Sequence, residues 1–239
     1  MLRTHLAADY VGLGKAMSAS GDVAHALDPL KQGAGLLQQL SRMDPTNATL
    51  MEYFAESNSV LAETLKKHGD YPQALEYFSK ARERYQELSR SNPSDSLSRV
   101  NVISVDINVG NVLLAEGKTA AGIQLLRSVN SAVERIEHKN RYALAALAES
   151  DSSLGQGYLS LAEHDKTAND RVEQLREARS WYQKSLALRR EVASSGSRDA
   201  WDDGETIASL SLQVAKCDAA LNRLSYRGPS SASASIGHK

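Results

Sequence analysis

The residues that could do chemistry in this chain are few, and their spacing argues against most reactions. Gly110 and Gly117-Lys118-Thr119 come nearest to a phosphate-binding loop. Such a loop has four residues between its first glycine and Gly-Lys-Thr, whereas here there are six. It also follows a strand, and Val100 to Leu114 reads as helix. Gly155-Gln156-Gly157 lacks both the full glycine spacing and the strand of a dinucleotide fingerprint. His5, His25, His68, His138, His164 and His238 include no pair at i, i+3 or i+4, so no metal ligation is expected. No Gly-x-Ser-x-Gly elbow occurs among the many serines. Cys217 is the single cysteine, which excludes an internal disulfide and any multi-cysteine metal site. The expectation is a chain with no catalytic residues, no cofactor and no metal, and therefore not an enzyme.

Bulk composition points the same way. The 239 residues are 41% apolar and 24% charged, an ordinary balance for a globular protein with a sizeable core. A net charge of -1 argues against a nucleic-acid partner, which selects for basic surfaces. No apolar run reaches the roughly eighteen residues that a bilayer span needs, so this segment should not insert in a membrane. Met1 to His5 leads into a mixed segment holding Asp9 and Lys15 rather than an apolar signal block. A cytoplasmic location is expected, or an extracytoplasmic one if the segment follows a membrane helix in a longer parent chain. Asn47-Ala48-Thr49 matches a glycosylation sequon but reads better as a polar turn after a helix.

The elements that would position any site follow from a repeat. Gly21-Asp22, Gly69-Asp70 and Gly117-Lys118 are spaced by 48 and again by 48. Asp44-Pro45 and Asn92-Pro93 share that period. Glycine at a short turn can take positive φ and stop one helix, and proline ends the next. Each unit therefore reads as two helices of about 20 residues, roughly 30 Å long. Helices are expected near 2–19, 23–42, 48–67, 71–90, 96–115, 119–138, 141–164 and 171–195. In the fourth unit, 162–170 replaces the glycine turn and carries an insertion that could touch a ligand. Gly196 breaks the chain before a last helix, with Asp202 or Asp203 as its N-cap. That helix carries Ile207, Leu210, Val214, Cys217, Leu221 and Leu224 on one apolar seam. Cys217 on the seam reads as a buried structural thiol. From Ser225 the Ser/Ala-rich tail reads as disordered.

The best-formed block, Gly69-Asp70-Tyr71-Pro72-Gln73-Ala74-Leu75-Glu76-Tyr77-Phe78-Ser79-Lys80-Ala81, resembles half of a tetratricopeptide repeat (TPR). The first-helix pattern appears as Tyr10, Leu13-Gly14, Met17 and returns at Leu61-Ala62, Val109-Gly110 and Leu154-Gly155. The second-helix pattern appears as Ala26/Leu30/Gly33 and Ala74/Phe78/Ala81, and more loosely as Gly122/Leu126/Val129 and Ala178/Tyr182/Ser185. A helical glycine costs about 1 kcal/mol against alanine, so Gly14, Gly110 and Gly155 imply a packing need. The later units depart from the pattern, with Asn58, Asp106 and Asp151 in the first large slot. The resemblance implies an all-α, right-handed α-solenoid of long hairpins with a C-terminal capping helix. Its units would run over 1–47, 48–95, 96–140 and 141–198, followed by the cap at 203–224 and the tail at 225–239.

In TPR stacks the first helices line a concave groove that holds an extended peptide or a partner helix. In register, the groove candidates are Lys15, then Ser59, Glu63 and Lys66, then Ile107, Asn108 and Asn111, then Ser152 and Gln156. Versions that clamp an acidic peptide C-terminus use paired Lys and Asn on adjacent units; only Asn108 and Asn111 resemble that set. Residues 178–186 and 214–221 are also similar to the last repeats of bacterial serine/threonine kinases, whose catalytic domain precedes TPR-like units. No kinase motif occurs in this chain, which reads as a whole-repeat piece of something longer. The implied role is a protein-interaction scaffold binding a peptide or helix, in the sensory or docking region of a signalling protein. Self-association into a homodimer through the terminal repeats is the alternative, and small-molecule sensing a third.

Overall fold

The computed structural model describes residues 2–136, 140–164, 167–194 and 203–225, all of them helix or short connection. The element order is α1 (Leu2–Ala19), α2 (Val23–Met43), α3 (Ala48–His68), α4 (Tyr71–Ser91), α5 (Ser96–Ala115), α6 (Thr119–Glu134), α7 (Arg141–His164), α8 (Ala168–Ser194) and α9 (Asp203–Ser225). No strand occurs among the described residues. The chain divides into two compact units, Met1–Val133 and Glu134–Lys239. Each is all-α and built from antiparallel hairpins, the local geometry of an α-solenoid.

The turns form for the reasons the repeat implies. Gly21, Gly69 and Gly117 have φ of 90°, 88° and 81°, the left-handed region that side chains other than glycine resist. At each turn the next amide reaches back five residues: Asp22 N–H to Met17 O, Asp70 N–H to Leu65 O and Lys118 N–H to Leu113 O, all 2.9 Å. These bonds satisfy carbonyls that a helix end otherwise leaves open. The side chains of Asn47, Asp70 and Asp95 accept from the first free amides of the following helices. Asn47 of the sequon is thus a helix cap.

Two boundaries differ from expectation by more than one residue. Helix α6 ends at Glu134 rather than 138, and 137–139 lie outside the described residues. Helix α8 starts at Ala168 rather than 171, because the Thr167 hydroxyl accepts from Asp170 N–H at 3.1 Å and donates to the Asp170 carboxylate at 2.6 Å. The connection expected over 162–170 is therefore short, although 165–166 lie outside the described residues. The expected break at Gly196, Asp202 as a cap and the tail from 226 also fall outside them.

Packing within unit 1 runs α1 on α2, α2 on α3, α3 on α4 and α4 on α5, with α1 also meeting α3 and α3 meeting α5. Leu30, Leu61, Leu65, Ala74 and Phe78 are buried to 1% exposure or less and form the centre of its core. A phenylalanine buried this completely contributes about 2–3 kcal/mol. In unit 2, α8 packs between α7 and α9. Leu210 and Cys217 of the α9 seam are buried there, while Ile207, Val214, Leu221 and Leu224 are half-buried.

Candidate functional site

In unit 1 the first helix α3 touches both α1 and α5, so one face carries side chains from three hairpins. The structure brings Glu63, Lys66 and Asn108 together on that face. Lys66 Nζ donates to Asn108 Oδ1 at 2.8 Å, and Asn108 Nδ2 donates to Glu63 Oε1 at 3.4 Å and to its own helix at Ser104 O, 3.3 Å. Lys15 does not join this cluster. Its Nζ donates to Glu56 Oε1 at 2.9 Å with both side chains about half exposed, an ion pair worth at most about 1 kcal/mol.

The electrostatics of this face are those of an accessible but crowded wall. Glu63 is exposed, yet the protein around it removes enough water to hold its carboxyl above the ordinary range, against the pull of Lys66, Lys67 and Lys15. Behind the face, burial pushes the Tyr85 phenol up, and the carboxylates of Glu56 and Glu52 push it further. Ser59 lies beside that phenol, but its Oγ is buried without a hydrogen bond of good geometry. Asn111 Oδ1 is likewise buried and has no partner. A buried acceptor left open costs about 1–3 kcal/mol unless something fills it.

Next to the Lys15–Glu56 pair lies a pocket of about 260 Å³ lined by Val11, Gly12, Leu37 and Tyr53. Gly12 meets nothing within 4 Å where a Cβ would stand, which keeps the pocket open on that side. Sequence reasoning missed Glu56, Tyr53 and Gly12. The signal was there for Glu56, since Glu52, Glu56, Ser59, Glu63 and Lys66 recur at helical spacing along one stripe of α3.

One expected groove residue is misplaced. Ile107 is 0% exposed and belongs to the core. At about 100° per residue Ile107 lies well round the helix from Asn108 but only about 40° from Asn111, whose amide oxygen is itself buried, so that side of α5 turns into the core. The polar residues in the large slot also find packing roles. Asn58, 1% exposed, donates to Phe54 O at 2.6 Å. Asp106 takes two bonds from Arg82, to Nε at 2.6 Å and Nη2 at 3.2 Å, tying α4 to α5.

In unit 2, Ser152 and Gln156 line a cleft of about 500 Å³ between α7 and α9, with Tyr182 of α8 as its floor. Glu163, Ser209 and Gln213 complete a lining rich in hydroxyls and amides. Arg179 Nε meets Asp218 Oδ1 at 2.6 Å and pins α8 to α9.

Among the described residues no three His, Cys, Asp or Glu side chains converge as metal ligands would, and no helix is long and apolar enough to cross a membrane. No protein-family model and no curated protein sequence matches the chain. Solved structures do share its fold. It is similar to BtubC (BKLC) from P. vanneervenii, with a TM-score of 0.56 and 15% identity over 99% of this chain and 89% of that one. It is also similar to a Podosopora anserina protein described as a kinesin light chain with nearly identical TPR-like repeats. There the TM-score is 0.51 and the identity 17%, over 92% of this chain and 98% of that one. The fold is TPR-like.

Proposed function

We propose that this chain is a protein-interaction scaffold without catalysis of its own, holding an extended segment of a partner protein along the first-helix face of unit 1. The observation that carries this reading is the Glu63–Asn108–Lys66 cluster bridging α3 and α5, with the open Asn111 acceptor on the same face. A stretched main chain offers N–H and C=O groups in series, and the amides of Asn108 and Asn111 can answer both kinds once Asn108 exchanges its bonds to Lys66 and Glu63 for those of the segment. The pocket beside Lys15 and Glu56 takes one apolar side chain of that segment as an anchor.

Charge selects among partners. The face presents Glu52, Glu56 and Glu63 against Lys15 and Lys66, and Glu63 stands where a ligand carboxylate would otherwise meet Asn108 and Lys66. A neutral or basic segment fits this balance, whereas an acidic peptide C-terminus is repelled. Within unit 2, Ser152 and Gln156 offer polar contacts in a separate cleft of that unit's own. The setting in which we place this role is the docking region of a bacterial signalling protein. That placement rests on the likeness of residues 178–186 and 214–221, and sequencing the flanks of the full gene product tests it.

A peptide array with acidic, neutral and basic sets tests the binding reading. Neutral or basic peptides with one large apolar residue should bind at micromolar affinity, and Glu63→Gln and Asn111→Ala should each weaken them several-fold. Preference for acidic C-termini, or binding that neither substitution changes, would overturn it.

A further inference from the structure

The polar side chains around the unit 2 cleft are unspent. Ser152, Gln156, Ser160, Glu163, Ser209 and Gln213 make no side-chain hydrogen bond or ion pair to any described residue. Helical serines elsewhere turn the hydroxyl back to their own backbone, as Ser57 does to Phe54 O, Ser91 to Leu88 O and Ser128 to Leu125 O. The cleft serines do not, so their hydroxyls stay available to a group from outside the chain.

Tyr182 is the second observation. It lines the cleft at only 4% exposure, and its hydroxyl has no hydrogen-bond partner among the described residues. Its ring lies flush on the α7 backbone, with Cγ, Cδ1 and Cε1 2.8–2.9 Å from where a Cβ on Gly155 would stand. Burial raises the phenol's pKa, and Cys217 and Glu163 add to the rise, so the hydroxyl stays a neutral donor at physiological pH. A buried donor without an acceptor is a costly arrangement that a ligand oxygen would relieve.

The lining selects the ligand. Its volume of about 500 Å³ falls within the range of small-molecule sites, about 300–1,000 Å³. Such sites are mostly apolar, whereas here Leu159, Leu210 and the Tyr182 ring share the wall with hydroxyls from Ser152, Ser160, Thr206 and Ser209. Among the described lining residues Glu163 carries the one charge, so an anion is repelled. Glu163 is exposed, and solvent weakens its pull on an ammonium group. Hydroxyls and carboxamides each donate and accept, which suits a ligand whose groups do both. The hydroxyls of a sugar or polyol are such groups, and its C–H faces suit the two leucines.

We infer that this cleft is a binding site for a neutral polyhydroxylated compound of mono- or disaccharide size, with Tyr182 donating to a ligand oxygen and Gln156 and Gln213 answering its hydroxyls. The site lies within unit 2 and does not rest on the segment-binding reading of unit 1, so either can fail alone.

An NMR titration of the full chain with glucose, galactose, mannose, myo-inositol, trehalose and maltose is the test, with glucosamine and glucuronate as charged counterparts. At least one neutral compound should bind at millimolar affinity or better and move the amide signals of Ser152, Gln156, Ser209 and Gln213. Tyr182→Phe keeps the ring and should weaken that binding about tenfold. Its melt without ligand should stay level or rise, because the lost hydroxyl held no protein partner. Gln156→Ala, at an exposed position, should weaken binding several-fold and replaces Tyr182→Phe if that melt falls. A neutral hit is then compared with its longer oligomer, as maltose with maltohexaose. Equal or tighter binding of the oligomer marks a glycan end as the source, and its exclusion marks a free sugar. Three results would overturn the proposal: no neutral compound moving those signals in large excess, glucosamine or glucuronate binding more tightly than every neutral compound, or binding that neither substitution changes.

Discussion

Gly14 and Leu30 touch so closely that a Cβ added to Gly14 would stand 2.4 Å from Leu30 Cγ. The same closure recurs between Gly110 and Leu126 at 2.7 Å and between Gly155 and Tyr182 at 2.8 Å. The register sets Ala62 against Phe78 in the second hairpin, both at 0% exposure. Each hairpin is thus closed by one small residue on its first helix and one large residue on its second.

Gly14→Ala and Gly110→Ala should therefore destabilise the fold even though alanine favours helix by about 1 kcal/mol. The atom struck is the branch point of a buried leucine, so the whole side chain must move. Such overpacking typically costs about 1–3 kcal/mol. We expect a net loss of about 1–2 kcal/mol by urea denaturation. The double variant Gly110→Ala/Leu126→Ala should lose less stability than the sum of the two single losses, because truncating Leu126 makes room for the new methyl.

Two other glycines should respond in opposite directions. Gly69 sits at φ 88° in the turn, and Gly69→Ala should cost about 1–2 kcal/mol through left-handed backbone strain. Gly35 is helical and has nothing within 4 Å of a built Cβ. Gly35→Ala should raise stability by about 0.5–1 kcal/mol. Thermal melts of the two variants should shift to opposite sides of the native midpoint.

Cys217 is 0% exposed on the α9 seam, and burial, with some help from Asp218, holds its thiol above the ordinary range. A thiol-specific reagent should leave it unmodified in the folded protein at neutral pH. Labelling should appear only across the denaturant transition of unit 2. Rapid modification of native protein would contradict this burial.

His25 is fully solvent-exposed but bonds Asp22 Oδ1 at 2.6 Å, and that bond, with the carboxylate charge behind it, raises its pKa above the ordinary 6.5. A raised pKa means the pair favours folding at pH below the ordinary histidine value, and that the favour fades as pH rises through the folded-state value. Proton NMR should find His25 titrating above the ordinary histidine value, and Asp22→Asn should bring it back towards that value.

Much of this architecture was legible because its determinants are local. Positive-φ glycines, capping Asn and Asp side chains and helix-ending prolines act within a few residues of where they stand. A 48-residue period then repeats the same instruction. Small-against-large closure of each hairpin was legible too, since Gly14 and Leu30 belong to one short turn's reach. Tertiary structure alone decided which polar side chains meet. Lys66 and Asn108 are 42 residues apart and Lys15 and Glu56 are 41 apart, on helices whose relative rotation no local spacing encodes. That rotation turned Ile107 into the core beside an outward Asn108, gave Lys15 to Glu56 rather than to Glu63, and left Leu2, Leu6 and Leu13 of α1 facing water. Helix periodicity sets the angle between two residues on one cylinder; the angle between cylinders comes from how their side chains interlock.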